Sequence, residues 1–186
     1  MLVLKENNLA FVHIPKCGGT SVSVQVKKFD RKHWDWIEGT HTPPDVILRR
    51  GYEIENWFYQ VRDPYTRFVS AYHHLQRYLT TWTWPLEQIL SHLVEDADVN
   101  LWPMEKGFRI LFRPQVMWYI EDMPFFKLEE KTIWPFLQEN GFPDIKEKTS
   151  NYNPLDKEEH IILTDKQKEI VYNFYKQDFE TFGYNK

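Results

Sequence analysis

The stretch LAFVHIPKCGGTSVSVQV, residues 9–26, decides how the chain is read. Its opening, LAFVHI, is a short apolar run with β-branched and aromatic residues, closed by Pro15 and then Gly18-Gly19. That is the pattern of a buried strand entering a tight loop. From Thr20 the β-branched alternation taken alone favours a strand, but Thr20 or Ser21 is a good N-cap and the segment ends in Lys27-Lys28, so a helix is predicted. Strand, glycine-rich loop and helix in succession offer backbone N–H groups to an anion, with hydroxyls from Thr20 and Ser21 beside them. Lys16 supplies a full charge, but in an unusual place. A Walker A loop, G-x-x-x-x-G-K-[ST], carries its lysine after the glycines, and here Lys16 precedes Gly18 and Gly19.

Working outward, NWFYQVR (56–62) reads as a second buried strand, and Asp63-Pro64 opens a long helix, with Asp63 as N-cap and Pro64 at its first position. Arg62 then stands at a strand's carboxyl end with a planar fork of donors, and Ser70 lies two helical turns beyond Asp63. Two anion corners on neighbouring strands suggest a ligand with two separated anionic groups. Between them, GTHTPPD sets His41 on a loop, and Pro43-Pro44 starts a short helix through Leu48. Further on, the patterns predict a helix over 85–94, a loop over 96–109, a helix over 113–120 and a strand over 125–129. A helix interrupted at Pro135 and a capped C-terminal helix complete the reading. Strands alternating with helices predict an α/β fold, a three-layer sandwich on a mostly parallel sheet, with ligands at the strand carboxyl ends.

With 186 residues and no internal repeat, the chain is expected to form a single domain over 1–186. Lys plus Arg number 23 against 27 Asp plus Glu, a formal charge of -4, which gives no general reason to bind nucleic acid. Any anion site is therefore local. Aromatic residues at 17% exclude a disordered chain. A lone cysteine, Cys17, excludes an intrachain disulfide and a cysteine-based zinc cluster. The apolar runs near the N-terminus are too short for a signal-peptide core or a membrane span, so the expectation is a soluble, cytoplasmic protein with no membrane insertion.

FVHIPKCGGTS followed by FYQVRDPYTRFVSAY resembles the sulfotransferases that use 3'-phosphoadenosine 5'-phosphosulfate (PAPS). The likeness is to the carbohydrate branch that includes heparan sulfate 2-O-sulfotransferase and its compact bacterial and viral relatives. Those proteins commonly read H-I-P-K-T-G-G-T-S and V-R-D-P-x-x-R-F-x-S-x-Y. FRPQVMWYI and FYKQDFETFGY are similar to later family segments, so the resemblance covers most of the chain. It implies a P-loop-like sulfotransferase fold and an enzyme moving a sulfuryl group from PAPS to an acceptor hydroxyl, on a carbohydrate or other small molecule. The product is adenosine 3',5'-bisphosphate, and no metal is required. By the same resemblance Lys16 stabilises the leaving group, Cys17, Gly18, Gly19, Thr20 and Ser21 line the 5'-phosphosulfate loop, and Arg62 and Ser70 hold the 3'-phosphate. Cys17 departs from the usual threonine, which leaves the backbone N–H but removes a hydroxyl. His41 falls in the interval where those enzymes carry a histidine general base.

Other features compete or assist. His13 ends the first strand and is expected to hydrogen-bond behind the site, and His73 and His74 to be structural. Arg113 and the segment Lys148-Thr149-Ser150 are candidate contacts to acceptor or nucleotide. Trp82, Trp84, Trp102 and Trp118 are read either as stacking platforms or as core. A second function with the same residues is a nucleotide-binding module that has lost transfer, serving as a sensor or partner subunit; the presence of His41 argues against it. A small P-loop kinase is opposed by the position of Lys16 and the lack of a Walker B strand.

Overall fold

The apolar N-terminus forms β1 (Leu2–Leu4), which pairs antiparallel with β2 (Leu9–Val12), Leu2 opposite Phe11 and Leu4 opposite Leu9. The computed structural model describes residues 1–5, 8–78, 84–95, 98–147 and 161–186. Trp82 and residues 148–150 lie outside them. α1 (Gly19–Val26) follows the glycine loop, β3 is Trp34–Trp36, and α2 (Pro44–Arg49) begins on the second proline of the pair, whose fixed φ suits a first helical position. β4 (Asn56–Val61) and β5 (Phe125–Lys127) complete a sheet in the order β3-β1-β2-β4-β5.

The sheet is mixed rather than mostly parallel. β2, β4 and β5 run parallel, Phe11 facing Phe58 and Tyr59 facing Phe125, while β1 and β3 add antiparallel pairs on the other side. The run MLVL is too short to show a period, so nothing in it announced a strand; its pairing partners on both sides make it one.

By its contacts the chain divides into two compact units, Met1–Arg62 with Met117–Asp156, and Asp63–Val116 with Lys157–Lys186. The first holds the sheet, α1, α2 and α6 (Ile133–Glu139). Its core joins Phe11 and Phe58, with ring centroids 5.1 Å apart, to Val22 and Val26 of α1 and to Ile133, Trp134 and Leu137 of α6. Pro135 does not interrupt α6: it is the third helical residue, where its missing N–H is one of those a helix start leaves unbonded anyway.

The second unit is helical: α3 (Pro64–Tyr78), α4 (Leu86–Glu95), the short α5 (Lys106–Arg109), α7 (Asp165–Phe174) and α8 (Lys176–Phe182). Asp63 caps α3 as expected, its Oδ1 accepting from Thr66 N–H at 2.9 Å. The 98–109 stretch read as loop holds a 3-10 turn at Val99–Leu101 as well as α5, and the helix read over 113–120 shortens to a 3-10 turn at Gln115–Trp118. The C-terminal helix breaks at Tyr175 into α7 and α8.

Buried polar side chains brace this unit. Arg67 is 1% exposed and donates to the carbonyls of Leu111 (3.3 Å) and Arg113 (2.8 Å). The Tyr175 hydroxyl donates to Phe112 O at 2.7 Å, and the Asp178 carboxylate accepts from the N–H groups of Gln115 and Val116 at 2.8 and 2.9 Å. Burial pushes the Asp178 carboxyl up from its ordinary value, against the pull of Arg67 and the two backbone donors. Side chains thus satisfy the carbonyls of Leu111, Phe112 and Arg113 and the N–H groups of Gln115 and Val116.

Candidate active site

β2 delivers the chain to the loop, and the loop's shape follows from two left-handed backbones and one close approach. Lys16 has φ +66°, a left-handed conformation that a non-glycine residue adopts at a cost of about 1 kcal/mol or more and that concentrates at functional sites. Its carbonyl accepts from Nη1 of Arg62 at 3.4 Å, which ties the loop to the end of β4. Gly18 has φ +78°, and a Cβ there would stand 2.7 Å from Leu128 Cδ1 and 3.0 Å from Gln60 Oε1. A Cβ on Gly19 would stand 2.2 Å from Cδ2 of His13. Both glycines are therefore required, Gly18 by its left-handed backbone and Gly19 by close approach to the His13 ring.

The helix begins two or three residues earlier than an N-cap at Thr20 or Ser21 predicts. Gly18 is its N-cap, without a side-chain cap, and neither Thr20 nor Ser21 fills that role. Ser21 N–H turns back to Gly18 O at 2.9 Å, which leaves the N–H groups of Gly18, Gly19 and Thr20 outside the backbone pairing of the loop. These donors, at the positive end of α1, suit an anion. Thr20 is exposed and Lys16 and Ser21 are half-buried at the same turn. Cys17 is 1% exposed, and its thiol lies 3.6 Å from Pro15 O, so its side chain serves the loop's interior.

His41 lies between β3 and α2 and is fastened at two points. Its Nδ1 is 2.8 Å from the carbonyl of His13, and since a carbonyl can only accept, Nδ1 carries the hydrogen. In the neutral ring the basic lone pair then resides on Nε2. The His41 carbonyl accepts from the indole N–H of Trp118 at 3.1 Å. The two imidazoles meet edge to face, centroids 4.6 Å apart at 74°.

His13 is buried beside His41. Burial first, then the nearby His41 and Lys16 charges, lowers its pKa to about 3, so it stays neutral in any ordinary buffer. Its Nδ1 is buried with no hydrogen-bond partner among the described residues. It is a wall against Gly19 and, through its carbonyl, an anchor for His41.

The first unit thus gathers Lys16, Cys17, Gly18, Gly19, Thr20 and Ser21 in one loop, ties Arg62 to that loop, and links His41 to it through His13. Ser70 lies on α3 in the second unit, half-buried, as do His73 and His74. Arg113, also in the second unit, donates through Nη2 to Asn100 Oδ1. Trp84, Trp102 and Trp118 are 3%, 0% and 0% exposed, so they are core and offer no open face for stacking. Gln60 and Leu128 beneath Gly18 escaped the sequence reading, and Trp118, read there as stacking platform or core, proves to be core with a bond to the His41 carbonyl. The alternation in NWFYQV does place Gln60 on the face opposite Tyr59, but only the register with β5 brings Leu128 to the same spot.

Among the described residues no three His, Cys, Asp or Glu side chains group as a metal site, and no helix is long and apolar enough to cross a membrane. A family model described as sulfotransferase family matches residues 1–185. Among curated proteins and among solved structures, none matches the chain.

Proposed function

The chain belongs to the sulfotransferase family, and on that premise we propose that it carries a sulfuryl group from PAPS to an acceptor hydroxyl on a carbohydrate or another small hydroxylated molecule. The single match runs through segments of both compact units, which supports treating 1–186 as one sulfotransferase domain. The observation that carries the reading is the joining of three groups at the end of β2: the Lys16 loop with its open N–H donors, Arg62 bonded to Lys16 O, and His41 bonded to His13 O.

The donor set fits the ligand. The N–H groups of Gly18, Gly19 and Thr20 suit the 5'-phosphosulfate end, where a side chain on either glycine would be blocked by its neighbours. Arg62 is assigned to the 3'-phosphate, a role that the resemblance also gives to Ser70. When bound, the donor supplies a sulfuryl group on a phosphate leaving group. The Lys16 ammonium stabilises negative charge developing on the oxygen that bridges phosphate and sulfur. His41 Nε2 takes the proton of the acceptor hydroxyl as that oxygen bonds to sulfur, while the Nδ1–H bond to His13 O holds the ring in the competent tautomer. The balance is one S–O bond broken, one formed, and one proton passed to His41.

Isothermal titration with adenosine 3',5'-bisphosphate, ADP and ATP in the absence of magnesium tests the site. The bisphosphate is expected to bind most tightly, and Arg62→Ala to weaken it by about tenfold or more, the worth of a charge-assisted hydrogen bond. Transfer of radiolabelled sulfate from PAPS to a saccharide panel should be lost in Lys16→Ala, with some nucleotide binding kept. His41→Ala should keep nucleotide affinity and lose transfer. Equal affinity for ADP and the bisphosphate would reject the site, and full transfer by His41→Ala would remove that residue from the mechanism.

A further inference from the structure

We propose that Trp118 is a positioning residue for His41, an inference that rests on His41 acting as the base. Trp118 ends the 3-10 turn Gln115–Trp118 and is completely buried, yet it carries a polar N–H that a buried indole must satisfy. The acceptor is the carbonyl of His41, 77 residues away in sequence and 3.1 Å away in space. The turn before His41 is held by the Met1 amino group, which donates to Gly39 O at 2.9 Å, and by Thr42 Oγ1, which donates to the same carbonyl at 3.0 Å, and neither bond is made to His41 itself. Gly39 and Thr40 are exposed, and the local backbone bond, Thr42 N–H to Gly39 O at 3.4 Å, closes the turn without engaging His41.

His41 is therefore set by two bonds of different origin. The one from its own Nδ1 to His13 O fixes the tautomer, and the one from Trp118 to its carbonyl fixes where the backbone stands while the ring makes that first bond. Without the indole N–H, the part-buried carbonyl of His41 loses this partner and the loop gains freedom to carry the imidazole away from the His13 carbonyl. Small displacements of a base are costly to proton transfer, whereas nucleotide binding at the Lys16 loop does not use this bond. The indole ring is core, but its nitrogen serves the site.

Trp118→Phe keeps the aromatic bulk and deletes only the donor. Its kcat for transfer is expected to fall about tenfold, the effect of one lost hydrogen bond, with KM for PAPS and affinity for adenosine 3',5'-bisphosphate changed by less than about twofold. The His41 ring Cε1–H resonance should shift in the same variant. A merely structural tryptophan would instead lower kcat and nucleotide affinity together, or neither, and either outcome overturns the proposal. A second measurement needs no variant: in protein labelled with 15N-tryptophan and 13C-carbonyl histidine, a scalar coupling across the hydrogen bond should link Trp118 Nε1 to the His41 carbonyl. Its absence overturns the proposal whether or not the variant folds. Full activity of His41→Ala would bring down the base assignment underneath, and is distinguishable from an inactive His41→Ala beside an unimpaired Trp118→Phe, which sinks this inference alone.

Discussion

A β-carbon on Gly19 would stand 2.2 Å from Cδ2 and 2.5 Å from Nε2 of His13, and the ring it meets is 5% exposed with little room to retreat. Helix propensity alone would favour alanine at a helical position by about 1 kcal/mol. Overpacking wins here, because the obstruction is a buried ring whose carbonyl also anchors His41. Gly19→Ala is thus expected to destabilise the protein by about 1–3 kcal/mol and to weaken binding of adenosine 3',5'-bisphosphate. Urea denaturation alongside calorimetry checks both, and an unchanged midpoint would mean that His13 moves freely. The glycine pair was legible as a loop from sequence, but the reason for the second glycine was not. Nothing local says that the residue six positions back turns its ring against the helix start.

At the level of elements, helix starts divide into those met by a capping side chain and those that are not. α7 carries a full capping box: Thr164 Oγ1 accepts from Gln167 N–H at 3.3 Å and Gln167 Oε1 accepts from Thr164 N–H at 3.0 Å. α1, like α2, α5, α6 and α8, has no side-chain cap. Thr164→Ala should cost about 1 kcal/mol in thermal or urea unfolding and leave transfer kinetics untouched. A loss of transfer without loss of stability would contradict this expectation. The caps at Asp63 and Thr164 were readable because a cap and its partners lie within three residues. The break between α7 and α8 was not, since Tyr175 keeps helical spacing and its deviation accompanies a bond to Phe112, 63 residues away.

On the scale of the whole molecule, each compact unit is assembled from two separated stretches of chain. The second needs its C-terminal stretch for more than surface: Val171, Tyr175 and Phe179 are part of its core, and Tyr175 and Asp178 satisfy backbone groups between 112 and 116. Removing one side of such a buried polar brace leaves Phe112 O and the N–H groups of Gln115 and Val116 without these partners and Arg67 without the charge of Asp178, at several kcal/mol against a total stability of about 5–15 kcal/mol. A fragment of residues 1–156 is accordingly expected to lose cooperative unfolding and to be cleaved readily within 63–116 by a non-specific protease. A fragment as resistant as the full chain would overturn this account of the brace.

The sequence by itself determined what depends on near neighbours: the strand, loop and helix around Gly18-Gly19, the strand ending at Arg62, the cap of α3, and a lysine placed before its glycines. These signals lie within a few residues of one another, where backbone sterics and local hydrogen bonds act without help from the rest of the chain. Only the tertiary structure decided the rest. It made MLVL a strand by pairing it on both sides, put Leu128 and Gln60 beneath Gly18, joined His41 to His13 and Trp118, and set Arg67, Tyr175 and Asp178 against one segment. The physical reason is common to them all. A buried donor or acceptor must find a partner, and no pattern in the sequence says which of many distant groups will be within 3 Å once the core has closed.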